Sequence, residues 1–228
     1  MRVGVLFSGG KDSTYAAYLA KQRGDELLCL ITLSPARSDS YMFHYPNIRW
    51  TAMQAQAMHL PRVTLDTKGV KEDELADLSN AIEIAKRDHS IEGVYTGALA
   101  SVYQKSRVER ICDELGVKAV SPLWHIDQVT HLTNIVADRF EVIMTGVAAL
   151  GLDESWLGRH LDKEAIRDLA RLHAKYGVNP GLEGGEGETF VLDCPLFDRR
   201  IEVVSSQKHW KGDAGYLEIL DAHLVAKA

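Results

Sequence analysis

Ser8-Gly9-Gly10-Lys11-Asp12-Ser13 is the stretch from which the rest of the chain is read. It follows an apolar run, Val3-Gly4-Val5-Leu6-Phe7, too short to cross a membrane and suited to a buried parallel strand. It precedes Thr14-Tyr15-Ala16-Ala17-Tyr18-Leu19-Ala20, which has helix-forming composition and apolar positions three and four apart. Strand, glycine turn and helix together make a cradle of backbone N–H groups at a helix N-terminus, where phosphate is favoured. Gly9 and Gly10 let the main chain approach such an anion closely. Lys11 adds a mobile positive charge, and the hydroxyls of Ser8 and Ser13 add donors. A Walker loop is excluded: it needs glycine where Val5 stands and Ser or Thr where Asp12 stands. The glycine spacing of the dinucleotide fingerprint is also absent.

At 228 residues the chain is long enough for one large or two small domains with a buried core. Its 46% hydrophobic and 25% charged content is that of a soluble globular protein, and a net charge of −6 argues against broad nucleic-acid binding. The three cysteines, Cys29, Cys112 and Cys194, are far apart and odd in number, so a disulfide framework is not expected. The nine histidines show no metal-binding spacing. No signal peptide or membrane-spanning run is visible, and a cytoplasmic location is expected.

Working outward, Leu27–Leu33 reads as a second strand, and the turn formers of 34–40 after it are placed to lie beside an adenine. His44 and Tyr45 follow in an aromatic segment, where packing competes with a binding role. A helix is expected over Arg49–Met58, a third strand over Val63–Leu65, and an amphipathic helix over Val70–Asp88 with a solvated acidic first turn, Lys71-Glu72-Asp73-Glu74. Gly93–Ser101 reads as a fourth strand running into small residues, among them Gly97, Ala98 and Ser101. Such residues permit either close approach of a ligand or tight packing. A helix opening at Tyr103-Gln104-Lys105-Ser106-Arg107 should bury Cys112 and end at Gly116. Val117–Ser121 completes an alternation of strands and helices that implies a parallel, doubly wound sheet. Pro122-Leu123-Trp124 marks the boundary between residues 1–124 and 125–228. The second part reads as α+β, with helices near Asp127–Ala137 and Lys163–Lys175 and strands at Val142–Val147, Phe190–Leu192, Ile201–Val204 and Tyr216–Leu224. Within it, Glu183-Gly184-Gly185-Glu186-Gly187-Glu188-Thr189 sets three carboxylates on a glycine-rich loop. Such a run is either a solvated surface or a place for Mg²⁺ or a cationic substrate.

The SGGxDS loop looks like that of the PP-loop ATP pyrophosphatases, which have a HUP-like nucleotide-binding sheet. More closely, the chain resembles the diphthine–ammonia ligases (diphthamide synthases), in the compact size of their archaeal branch. The resemblance spans nearly the whole chain. It is carried by Ser8–Ser13, Met42–Asn47, Gly97–Glu109 with Tyr103-Gln104-Lys105-x-Arg107-Val108-Glu109, Trp156-Leu157-Gly158-Arg159, and Glu183–Phe197 with its GG-E-x-E-T sequence. One position departs: Gly187 stands where the family pattern has an aromatic residue.

The resemblance implies amidation of the diphthine carboxylate on translation elongation factor 2, using ATP, Mg²⁺ and free ammonium, through an acyl-adenylate. Ser8, Gly9, Gly10, Lys11, Asp12, Ser13, Gly97, Ala98 and Ser101 would then hold the nucleotide. Lys11, Asp12, Glu186 and Glu188 would serve catalysis, with Asp12 either ordering the loop or binding Mg²⁺. His44, Tyr45, Tyr103, Gln104, Arg107, Trp124, Trp156 and Glu183 are the substrate candidates, the aromatics because a trimethylammonium group is read by ring faces. Gln104 and Arg107 are equally compatible with solvated helix positions. Ammonia is expected to arrive free, because Arg2 rather than a nucleophilic cysteine follows Met1. No membrane and no stable nucleic acid is expected as a partner, and the oligomeric state stays open, a homo-oligomer included. Three other readings share the cradle: a transfer-RNA-modifying enzyme, a small-molecule amide synthetase and a non-enzymatic ATP sensor. The acidic charge and the missing paired cysteines weigh against the first.

Overall fold

A computed structural model describes residues 1–35, 47–67 and 71–227, without the side chains of 35 and 71–73. The chain divides into two compact units, Met1–Trp124 and His125–Ala228.

In the first unit, strands β1 (Arg2–Leu6), β2 (Glu26–Pro35), β3 (Arg62–Thr67), β4 (Gly93–Tyr95) and β5 (Lys118–Val120) alternate with helices α1 (Lys11–Gln22), α2 (Thr51–Ala57), α3 (Lys71–His89) and α4 (Val102–Leu115). The sheet runs β3-β2-β1-β4-β5 with every pairing parallel, as the alternation predicts. Val3 and Val5 are wholly buried on one face. Gly4 between them turns to the other face, where an added Cβ would stand 3.1–3.3 Å from Ile31, Ile91 and Cys29. That second face packs against Ala81, Ile82 and Ala85 of α3 and Val108, Ile111 and Cys112 of α4. Each large aliphatic side chain buried there contributes roughly 1.5–3 kcal/mol. Helix α1 lies against β1, β2 and β4 through its buried Ala16, Ala17 and Ala20. The strand order reverses between β1 and β4, and open sheets of this kind bind ligands at the carboxyl ends of strands beside such a point. The residues after Leu6 and after Tyr95 stand at that edge of the sheet.

The second unit is a four-stranded antiparallel sheet, β6 (Glu141–Val147), β7 (Gly187–Asp193), β8 (Arg199–Lys211) and β9 (Ala214–Ala226), in the order β7-β6-β9-β8. Its helices α5 (Gln128–Ala137) and α6 (Lys163–Tyr176) pack together. Each begins on an aspartate: Asp127 accepts the Thr130 N–H at 2.8 Å, and Asp162 accepts those of Glu164 and Ala165 at 2.9 and 2.8 Å.

Two expectations change. Strands β8 and β9 are longer than the apolar patterns indicate. Residues 205–208 are polar and exposed, and main-chain pairing extends through them to β9, where Leu217 and Ile219 are buried. Glu74, read as part of a solvated turn, is buried at 8% exposure on the first turn of α3. Among the described residues no helix is long and apolar enough to cross a membrane.

Candidate active site

The β1–α1 loop is closed by its own hydroxyls. Ser8 donates its N–H to Ser13 Oγ at 3.3 Å, and the two hydroxyl oxygens lie 3.2 Å apart. The Gly10 carbonyl accepts Ser13 Oγ at 3.2 Å, Thr14 Oγ1 at 2.8 Å and the Thr14 N–H at 3.1 Å. Gly10 precedes α1 in an extended conformation and has no side chain to cap it. The first-turn N–H groups of a helix have no intrahelical acceptor, so their direction is what an incoming anion would meet.

Other loop carbonyls are tied back from distant parts of the chain. Thr32 on β2 donates to the Phe7 carbonyl at 3.0 Å, and Gln54 Nε2 on α2 donates to the Gly9 carbonyl at 2.9 Å. Gly9 has φ +81°, a conformation that suits glycine. A Cβ there would lie 2.4 Å from Gln54 Oε1 and 3.0 Å from Thr51 Cγ2. Thr51 in turn accepts Arg62 at 2.5 Å and donates to the Ile48 carbonyl at 2.6 Å. Burial lowers the pKa of Arg62 below the usual arginine value.

Lys11 Nζ pairs with Asp12 Oδ2 at 2.8 Å, the lysine side chain only 4% exposed and the aspartate 27%.

The β4–α4 loop abuts this cradle. A Cβ on Gly97 would stand 2.7 Å from the carbonyl carbon of Asp12 and 2.7 Å from the Ser13 nitrogen. Tight packing therefore accounts for Gly97, because its smallness admits the first turn of α1. Ala98 is buried and donates its N–H to Thr96 Oγ1 at 3.0 Å. The Ser101 hydroxyl caps α4, accepting the Gln104 N–H at 3.3 Å. Ser8–Ser13 and Gly97 are thus brought together.

The aromatic candidates already carry cations. The Arg107 guanidinium lies 3.2 Å from the centre of the Tyr103 ring, Lys105 Nζ 5.2 Å from that of Trp124, and the Arg159 guanidinium 4.4 Å from that of Trp156. Tyr103 and Gln104 are exposed, whereas Trp156 is buried at 5%. His44 and Tyr45 lie outside the described residues.

In the second unit the acidic loop has a structural task. Glu186 Oε2 accepts the Asn179 N–H at 2.5 Å, and its carbonyl accepts the Ala148 N–H at 2.8 Å. Glu188 pairs with Gly146 across β6 and β7, and a Cβ on that glycine would meet the Glu188 side chain at 3.0 Å. Glu183 and Glu188 are half-buried. Leu182 precedes the loop at φ +62°, buried. It fills the space over Gly187, whose added Cβ would stand 3.1 Å from Leu182 Cδ2 and 3.0 Å from the Gly146 carbonyl. Among the described residues no three His, Cys, Asp or Glu side chains converge as a metal site.

Thr32, Gln54, Gly146 and Leu182 were not singled out by sequence reasoning. For Gln54 a signal existed: with Thr51 it makes a buried polar pair three residues apart on a helix otherwise rich in alanine.

Residues 1–119 match the diphthamide synthase N-terminal domain, and residues 128–225 match the diphthamide synthase C-terminal domain. A diphthine–ammonia ligase of Bos taurus is 36% identical over 251 residues, covering 100% of this chain and 94% of the relative. That of Homo sapiens is likewise 36% identical over 251 residues with the same coverage, and that of Mus musculus 37% over 253 residues. With both halves matched and more than a third of the positions shared end to end, the chain belongs to the diphthamide synthase family.

Proposed function

We propose that this protein joins ammonia to the carboxylate of diphthine, using ATP and releasing AMP and pyrophosphate. The observation that carries the reading is the 36% identity to diphthine–ammonia ligases along the full chain. The Ser8–Ser13 cradle supplies the chemistry such a reaction needs. A carboxylate is a poor electrophile. Its oxygen attacks the α-phosphorus of ATP, the bond to the β-phosphate oxygen breaks, and pyrophosphate leaves. The nitrogen of ammonia then attacks the acyl carbon, AMP departs with the bridging oxygen, and the nitrogen loses a proton.

Charge grows on the departing pyrophosphate. The α1 N-terminus, Lys11 and the Ser8 and Ser13 hydroxyls are the groups we assign to its stabilisation. Asp12 supplies a carboxylate at the cradle, which suits Mg²⁺ held mainly by substrate phosphates rather than by a protein cage. When bound, that ion would neutralise phosphate charge. We assign capture of ammonium to the Glu183–Glu188 loop, where a carboxylate concentrates the cation and accepts its proton. The modified residue is taken to be on translation elongation factor 2. Its trimethylammonium group would compete with, or lie opposite, the cations already on Tyr103 and Trp124, each ring contact worth roughly 0.5–2 kcal/mol.

The test is mass spectrometry of elongation factor 2 after incubation with ATP, ammonium and this protein, with AMP and pyrophosphate measured in parallel. Diphthamide should form only on the factor carrying diphthine. Asp12→Ala and Ser13→Ala should each lower turnover on the order of a hundredfold. ADP and phosphate as products, equal AMP production with unmodified histidine, or activity only on a transfer RNA would defeat the reading.

A further inference from the structure

Gln54 is wholly buried, and a buried amide is costly unless its hydrogen bonds are met. Its Nε2 donates to the Gly9 carbonyl of the cradle at 2.9 Å, 45 residues away in the chain. That bond fixes a peptide plane. In a trans peptide the carbonyl of one residue and the N–H of the next point in opposite directions. Drawing the Gly9 oxygen toward α2 therefore turns the Gly10 N–H the other way, away from α2. Thr32 does the same two residues earlier by holding the Phe7 carbonyl at 3.0 Å. The Gly10 carbonyl is held by Ser13 and Thr14. Three carbonyl oxygens, each repulsive to a phosphate, are thereby tied to donors within the protein. The Gly9–Gly10 plane would be the most mobile of them, since neither residue has a side chain to restrict it.

We propose that Gln54 is a positioning residue for the pyrophosphate part of ATP: it holds the Gly9–Gly10 peptide with its N–H presented to the anion and its carbonyl withdrawn. The inference rests on the ATP reading of the cradle and adds to it a residue on α2. Without the Nε2 donor the plane is free to rotate, and the carbonyl then faces the phosphates. Pyrophosphate recognition suffers first, while contacts to the adenosine part are untouched.

The experiment compares wild type with Gln54→Met, which keeps the side chain's length and removes its donor. Binding of ATP, inorganic pyrophosphate and AMP is measured by calorimetry, together with thermal melting and the kcat and KM for AMP production. The expected result is a folded variant that binds ATP and pyrophosphate at least about tenfold more weakly. Its AMP affinity should stay within about twofold, and its kcat should fall roughly ten- to a hundredfold, the scale of losing a well-oriented catalytic geometry. Gln54→Glu provides a second readout. A buried carboxyl is pushed toward its protonated form, and the protonated acid again donates to Gly9. Its deficit relative to wild type should narrow as pH falls from about 8 to about 5.5.

Unchanged pyrophosphate binding in Gln54→Met overturns the inference. So does parallel loss of AMP and pyrophosphate together with a lower melting temperature, which would make the residue merely structural. If Gln54→Met does not fold, the pH-dependent deficit of Gln54→Glu decides, and a flat deficit counts against the proposal. If neither variant folds, it is overturned. Wild-type protein that binds neither ATP nor pyrophosphate would bring down the ATP reading itself, an outcome distinct from all of these.

Discussion

A methyl group at position 97 has nowhere to go. The atoms it would meet, at 2.7 Å, are the Asp12 carbonyl carbon and the Ser13 nitrogen, which belong to backbone and cannot swing aside. Gly97→Ala should therefore destabilise the first unit by about 1–3 kcal/mol, as overpacking does. It should also shift the start of α1 enough to lower AMP production at least about tenfold. A variant with wild-type melting and turnover would show that the contact relaxes without consequence. A second glycine tells a related story. Gly187, where the family resemblance implies an aromatic residue, lies under Leu182, itself held at φ +62° where glycine is at ease. Gly187→Tyr alone should lower the melting temperature. Leu182→Gly combined with Gly187→Tyr should recover part of that loss, since the Gly146 carbonyl stays 3.0 Å from the new Cβ, and a double-mutant cycle measures the coupling directly. Simple additivity of the two changes would refute the exchange. At this scale the six residues of the cradle were legible because one short sequence contains them. Gly97 was legible as small, and the structure supplies the reason.

Elements were legible where side-chain periodicity determines them. The helix ending at Gly116 does end there, with that glycine at φ +64°, and Cys112 lies in the core as its helical position predicts. Periodicity fails for the outer half of β8, where residues 205–208 are polar and exposed and the apolar anchors, Leu217 and Ile219, are on the paired strand β9. Strand β8 is an edge, and Lys208 and Lys211, with a register shift near Ser205, are the usual means of keeping such an edge from pairing with another chain. Ser101 was read as a nucleotide contact, and the structure gives it a task at the level of the helix. If capping is its main role, Ser101→Ala should cost about 1 kcal/mol. Ser101→Asn, which also caps, should restore melting and activity together. Activity that stays low in Ser101→Asn while stability returns would point back to a direct contact with the nucleotide.

For the whole molecule, the parallel sheet was legible from the alternation of strands and helices. The order β7-β6-β9-β8 was not, because pairing between strands distant in sequence leaves no local pattern. Charge sets a pH window for stability. The Arg159 and Arg171 guanidinium groups hold the Asp168 carboxyl below the usual carboxylate range, and the terminal ammonium and the Tyr95 hydroxyl do the same for Asp25. A carboxylate whose pKa is lower in the folded state stabilises above its unfolded value, near pH ~4, and that contribution fades as pH drops toward the folded value. Burial acts in the other direction on Cys29, Cys112 and Cys194, whose thiols are pushed up to about 12. Their contribution is complete below the unfolded thiol value, near pH ~8.5, and is lost as pH climbs through the folded one. Thermal melts should thus show a plateau between about pH 4 and 8.5 with decline on both sides. Native protein should leave all three thiols unmodified by a thiol reagent until denaturant is added. Rapid labelling of the native chain, or melting that improves above pH ~9, would contradict this.

The closeness of Gly97 to the start of α1 has a consequence for anyone who would move or search for this loop. Six residues can be copied onto another scaffold, but the glycine that makes room for them follows β4 and the threonine that anchors Phe7 stands on β2. A graft of Ser8–Ser13 alone should produce a flexible glycine turn with little affinity for pyrophosphate. By the same reasoning, a genome scan for the hexapeptide will return impostors unless it also asks for a small residue just after the strand that becomes its neighbour.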